Sequence, residues 1–211
     1  MRPKLILAST SPRRREIFAR LGLPFESIAP TFEELSDDVR DVKEETLFFA
    51  ESKARSVMHG LKNHIVIGSD TLIAYQGQKI GKPENAEAAK TILKMLQGRS
   101  HEIYTAVFVM DVSGHTQASS LEKVKVRMHE MSEAEIEDYV ATKEPLDKAG
   151  AYAVQGIGSR FIRELKGDRL AAIGLPLGVL ARFLSERGFT LPENLLKIER
   201  IRIDGFKPET D

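Results

Sequence analysis

The chain of 211 residues contains no cysteine, which removes disulfides, thiolate catalysis and cysteine-ligated zinc together. That composition agrees with a reducing compartment, and the cytoplasm is the expected location. Net charge is lacking as well, because 31 Lys and Arg residues balance 31 Asp and Glu. A general nucleic-acid or anionic-membrane binder needs an excess of positive charge, so neither partner is expected and any anion site must be a local concentration of cations. Long apolar runs are also missing. The longest uncharged stretch, Leu170 to Ala181, is interrupted by Gly174, Pro176 and Gly178 and is too short to span a bilayer. Too few apolar residues precede Ser9 for a signal peptide. Among motifs, there is no GxxxxGKS/T phosphate loop, no GxGxxG after an expected strand and no GxSxG elbow. The histidines, His59, His64, His101, His115 and His129, lack ligand spacing and read as surface or turn residues.

What is present begins at Leu5-Ile6-Leu7-Ala8-Ser9-Thr10-Ser11-Pro12-Arg13-Arg14-Arg15-Glu16. This reads as a short apolar strand, a hydroxyl-rich bend and a helix. Ser11 suits the N-cap and Pro12 the first helical position, where a missing N–H costs nothing. Arginines in a first turn oppose the macrodipole by roughly 0.3–1 kcal/mol each. An anion held by free N–H groups and forked guanidinium groups relieves that conflict; a solvated arginine cluster is the plain alternative.

Strand-like and helix-like segments alternate along the rest of the chain. Lys4 to Ala8 reads as a buried strand, and the first helix ends near Gly22. Asp41 with Glu44 forms a capping box opening a helix to about Leu61. His64 to Ser69 is a β-branched strand ending at Asp70, and Thr71 to Tyr75 then turns through Gln76-Gly77-Gln78 into Lys79-Ile80. A helix from about Ala86 sets Ala89, Ile92, Leu93 and Leu96 on one face. Strands over about 102–111 and 117–129 flank Ser113-Gly114-His115, and Ser132 with Glu135 caps a helix to about Thr142. A strand from Ser159 to Leu165 and a helix from Leu177 to Arg187 complete the domain. The mixture of crossovers and hairpins predicts one α/β domain, a mixed twisted sheet flanked by helices, over residues 1–189. Residues 190–211 form an extension that either packs as an edge segment or trails as a tail.

Several side chains are candidates for chemistry. Asp70 stands at the expected carboxyl end of Ile65-Val66-Ile67, where open α/β sheets place their ligand crevice, and a carboxylate there can bind a metal or take a proton from water. A simple Asp70-Thr71 turn is the alternative. Lys53 lies in line with Phe49 and Val57 on a partly buried helix face, where lysines commonly only snorkel. Lys82 sits on a loop stiffened by Pro83, suited to a fixed charge facing phosphate. Glu33 and Glu34 follow a second strand and could coordinate a divalent ion, although acidic surface pairs are common.

Taken together, Ser9-Thr10-Ser11-Pro12-Arg13-Arg14, Glu34, Lys53, Gly68-Ser69-Asp70-Thr71, Gly81-Lys82-Pro83, Gly98-Arg99-Ser100-His101, Asp147-Lys148-Ala149-Gly150-Ala151-Tyr152, Gln155-Gly156 and Gly174-Leu175-Pro176-Leu177 resemble the Maf family of nucleoside triphosphate pyrophosphatases. The resemblance covers about residues 4–188 in order. It implies a fold related to that of inosine triphosphate pyrophosphatases, a divalent cation such as Mg or Mn, and a homodimer. The implied reaction cleaves between the α- and β-phosphates, giving monophosphate and pyrophosphate. Ser9, Arg13 and Arg14 would bind the substrate, Lys53 and Lys82 would balance leaving-group charge, and Asp70 would activate water or share the metal with Glu34. Arg13, Thr71 and Gln155 stand where the dTTP/UTP subgroup carries its specificity residues. The subgroup acting on 7-methyl-GTP has glutamate at the Gln155 position; a cationic base favours a carboxylate, whereas a neutral amide can donate to and accept from a uracil or thymine edge. Arg169 departs from the tyrosine that dTTP/UTP-type members place soon after Gly167, which bears on base preference. A nucleotide-binding regulator of septum formation without important turnover is the other class the resemblance admits.

Overall fold

The computed structural model describes residues 2–35, 39–113 and 116–192. At one end of its sheet, β1 (Lys4–Ala8) pairs in parallel with β2 (Phe25–Ile28) on one side and β3 (His64–Tyr75) on the other. The runs Leu5-Ile6-Leu7-Ala8 and Ile65-Val66-Ile67 are apolar without alternation because both faces of these strands are covered. Leu5, Leu7, Ile65 and Ile67 enter the larger core; Ile6 and Val66 enter a smaller one with Ala106 and Phe108. Successive side chains thus feed opposite layers.

Antiparallel strands extend the sheet. β4 (Gln78–Ile80) folds back on β3, β5 (Ser100–Asp111) lines the other edge of β3, and β6 (Thr116–Met128) and β7 (Ile162–Lys166) follow. The order is β2-β1-β3-β5-β6-β7, a mixed sheet as the alternating pattern predicts. Its helices are α1 (Pro12–Ala19), α2 (Val42–Ser56), α3 (Ala86–Leu96), α4 (Glu133–Ala141), α5 (Arg169–Ile173) and α6 (Gly178–Glu186). Both expected capping boxes, Asp41 with Glu44 and Ser132 with Glu135, are formed.

The packing of α2 on β3 decides where the site lies. A Cβ at Gly68 would come within 2.1 Å of the Ala50 carbonyl oxygen and 2.9 Å of the Ala54 nitrogen. Glycine therefore lets helix and strand backbones meet. Gly68 and Asp70 share a strand face, so this approach sets Lys53 of α2 beside Asp70 of β3.

Four local expectations need correction. Asp70 does not end a strand: β5 pairs with residues 65–74 without a break and carries β3 through to Tyr75. The second helix stops at Ser56, short of Leu61, because the following segment reverses to deliver the Asn63 carbonyl to the Lys4 N–H at 3.0 Å. In place of a strand from Ser159, residues Ile157–Phe161 make a 3₁₀ turn, held where the Ile157 and Gly158 amides bond to Glu144, and β7 starts at Ile162. Asp168 caps the short α5, which the sequence reading does not anticipate, by accepting from the Leu170 N–H at 2.8 Å. Of the expected turn Ser113-Gly114-His115, the last two residues lie outside the described residues, as do residues 193–211 of the extension. Phe189 and Leu191 are buried in the main core.

Candidate functional site

The registers leave an opening in the sheet. β1 pairs with β3 as far as Gly68, and the pairing of β3 with β4 begins only at Ile73. Between them Ser69, Asp70, Thr71 and Leu72 have β5 on one side and no strand on the other. The chain leaving β1 bends away there, with the Ser11 N–H donating to Ser9 Oγ at 3.1 Å and Ser11 Oγ capping α1 at the Arg14 N–H, 3.4 Å. Pro12 occupies the first turn, as its fixed φ favours. A cavity of about 710 Å³ fills this opening.

The site residues expected from the sequence, with one exception, line that cavity: Ser9, Arg13, Arg14, Glu34, Lys53, Asp70, Thr71, Lys82 and Gln155. Glu33 is not part of the lining. At the floor, Lys53 is only 5% exposed. It donates to Asp70 Oδ1 and, at 2.7 Å, to Glu34 Oε1. Asp70 itself is 3% exposed, and its second oxygen, Oδ2, is buried with no hydrogen-bond partner. Burial opposes ionisation of Glu34, but the charge and hydrogen bond of Lys53, with Lys82 and Arg14 further off, prevail and hold its carboxyl below the usual range.

Arg14 is anchored as well as charged. Its Nε donates to the Gly174 carbonyl at 2.8 Å and its Nη2 to Thr71 Oγ1 at 3.2 Å. Burial lowers its pKa, while the negative charges of Asp70 and Glu34 act the other way. Thr105 Oγ1 donates to the Ala171 carbonyl at 2.8 Å and lies 3.0 Å from Thr71 Oγ1, and Ser69 Oγ lies 2.9 Å from the Gly174 carbonyl. This lattice fixes Thr71 and one edge of the Arg14 fork, leaving other donors of Arg14 for a ligand. The α5 side contributes Ala172 and Ile173 to the wall, and Arg169 is not part of the lining.

Sequence reasoning misplaced one histidine. His101 is 2% exposed, on β5 opposite Val126, and its Nε2 lies 2.7 Å from the hydroxyl of Tyr152, whose ring lines the cavity. Of the other histidines, His59, His64 and His129 lie at least partly at the surface, and His115 falls outside the described residues. Burial pushes the His101 pKa down to about 4 from 6.5. The unfolded chain then binds the additional proton between those values, so stability is present above pH 6.5 and is lost as pH falls toward 4. The loss is up to about 3 kcal/mol. Urea unfolding of His101→Gln across that interval is expected to show a shallower decline than the parent; parallel curves would remove His101 as the cause.

Among the described residues, no group of three or more His, Cys, Asp or Glu gathers into a metal cage. What is present is a pair of carboxylates, Asp70 and Glu34, sharing one lysine and facing a cavity. One of their oxygens is buried and unmatched. Such a set suits a hard divalent ion that takes one or two carboxylates and completes its shell with water and substrate phosphate.

Fold and pocket together define a mixed-sheet α/β protein with a cation-rimmed, acid-floored cavity. The family model for Maf-like proteins matches residues 4–187. A protein of Bacillus cereus (strain AH820) called dTTP/UTP pyrophosphatase is 40% identical over 183 residues, covering 87% of this chain and 95% of that one. One of the same name from Bacillus anthracis shows the same identity and coverage. Among solved structures, the Staphylococcus aureus Ham1 protein aligns over 75% of this chain and 79% of its own, at 14% identity and a TM-score of 0.44. The chain belongs to the Maf family.

Proposed function

We propose that this protein is a nucleoside triphosphate pyrophosphatase that hydrolyses dTTP, UTP and modified pyrimidine triphosphates to the monophosphate and pyrophosphate. The observation that carries this reading is the unmatched Oδ2 of Asp70, buried beside Lys53 at the floor of a cavity also lined by Arg13, Arg14 and Lys82. Hydrolysis of a phosphoanhydride needs little covalent work from side chains: a positioned polyanion, neutralised charge and one oriented water. Arg13, the free donors of Arg14 and the α1 N-terminus bind phosphate oxygens, and Ser9 holds the loop from which they project. Asp70 Oδ2 accepts a hydrogen bond from water and takes its proton as the water oxygen bonds to the α-phosphorus. The α–β bridging bond breaks, its electron pair leaves with pyrophosphate, and Lys53 and Lys82 offset the added charge. Glu34 would hold a divalent cation, Mg or Mn, which supplies electrostatic shielding of the phosphates; a share of that ion is the alternative role for Asp70.

The pyrimidine preference rests on the relatives' names and on Gln155, whose neutral amide can both donate to and accept from a uracil or thymine edge. Residues 1–189 act as the catalytic domain, in a cytoplasmic homodimer. No helix of the described residues is long and apolar enough to cross a membrane. The test is a panel of standard and modified triphosphates with Mg or Mn, products resolved as monophosphate plus pyrophosphate or diphosphate plus phosphate. Fastest release of pyrophosphate from dTTP and UTP is the expected result. Diphosphate plus phosphate, or no turnover, overturns the reading.

A further inference from the structure

Elsewhere in the cavity lining, a carboxylate with no part in the chemistry above is tied into the chain on both sides of Gln155. Glu144 accepts the Tyr139 hydroxyl at 2.7 Å through Oε2, the Ile157 N–H at 3.0 Å through Oε1 and the Gly158 N–H at 2.8 Å through Oε2. The same Tyr139 hydroxyl accepts the Ala153 N–H at 3.1 Å. One relay thus anchors residue 153 on one side of Gln155 and residues 157 and 158 on the other. Tyr139 is fully buried, and burial and the bond to Glu144 push its pKa far up, so the hydroxyl remains a donor.

The loop is shaped to this carboxylate. Gly156 has φ +87°, and a Cβ there would lie 2.3 Å from Glu144 Oε1. A side chain at 156 would therefore be strained by its backbone and would collide with the clamp. Lys143, at φ +64° without being glycine, turns the chain so that Glu144 points back toward the loop.

We propose that Glu144 is a positioning residue for base recognition: its carboxylate, bridging Tyr139 to the Ile157 and Gly158 amides, sets Gln155 against the nucleotide base. The inference deepens the pyrophosphatase reading and rests on it. A carboxylate accepting three donors has the strength and directionality to hold a loop in one arrangement, which a floating Gln155 amide would lack.

The experiment is steady-state hydrolysis of dTTP, dCTP and dGTP by the parent, Glu144→Gln, Gln155→Ala and the double variant. Glu144→Gln keeps shape but loses charge and turns one acceptor into a donor facing an N–H. The expected result is a roughly tenfold lower kcat/KM for dTTP, carried by KM, the size of effect a lost charged hydrogen bond gives. The poorer substrates change less than twofold, so discrimination contracts. Gln155→Ala contracts it similarly, and Glu144→Gln adds nothing further in that background. An unchanged discrimination ratio, independent multiplying losses, or a uniform fall across all substrates tracking a lowered melting temperature overturns the proposal. Should Glu144→Gln not fold, Tyr139→Phe carries the same test with the charge left in place. Absence of any triphosphate turnover by the parent overturns the pyrophosphatase reading itself, whereas turnover without coupling to Gln155 overturns this inference alone.

Discussion

Asp70→Asn is expected to fold as the parent does and to release pyrophosphate from dTTP roughly 10²–10⁴-fold more slowly, the usual contribution of a positioned general base. Asparagine matches aspartate in shape, and its amide oxygen can still accept from Lys53. At the Oδ2 position, however, an NH₂ group replaces a proton acceptor. Lys53 keeps Glu34 as a charged partner, so the fold is not left with an isolated buried cation. The loss therefore falls on kcat, with KM within a few-fold and the melting temperature close to the parent's. Steady-state kinetics with a thermal melt checks all three quantities. Equal rates from parent and variant would remove Asp70 from the mechanism.

Lys53→Met reverses that pattern and strikes stability first. It leaves Asp70, 3% exposed, without its bonded cation. Removing one partner of a buried ion pair costs about 3–5 kcal/mol. The nearby charge of Arg14 argues for the lower end, and Glu34, at 41% side-chain exposure, adds little. Acid supplies a further signature. In the parent, Glu34 titrates below its ordinary 4.5, so its contribution is present above that pH and lost as pH falls through the folded value. In the variant the strongest depressing influence is gone and burial remains, favouring the protonated form. The stability difference between parent and variant should therefore narrow between pH 7 and pH 4 in urea unfolding. A constant difference would mean that Lys53 supports the fold by packing alone. Turnover is expected to be lost in the same variant, because the proposed mechanism uses this lysine to offset leaving-group charge.

The features legible in the sequence are those whose physics is local. Ser11 with Pro12, Asp41 with Glu44 and Ser132 with Glu135 each act within one helical turn, and all are found as expected. The partial burial of Lys53 follows from its alignment with Phe49 and Val57, but its two acidic partners do not, because they arrive from Glu34 and from another layer of the fold. The position of Asp70 within a longer strand depends on β5, which pairs Asp70 with Ala106. His101 meets Tyr152 across 51 positions, and Glu144 reaches Ile157 and Gly158 across 13 and 14. No periodicity or cap reports such contacts. Arg169 illustrates the converse: a visible departure in sequence falls outside the cavity once α5 is formed.

The break between the end of β1 and the start of β4 has an implication for how the protein behaves in a crowded solution. Bare strand margins ordinarily invite intermolecular zippering and aggregation. Here the uncovered margin is only residues 69–72 long and is bracketed by other strands, so a foreign polypeptide has no room to lie along it. A small polyanion does. At this point of the sheet the opening is thus sized for a small ligand and too short for an extended segment to pair along.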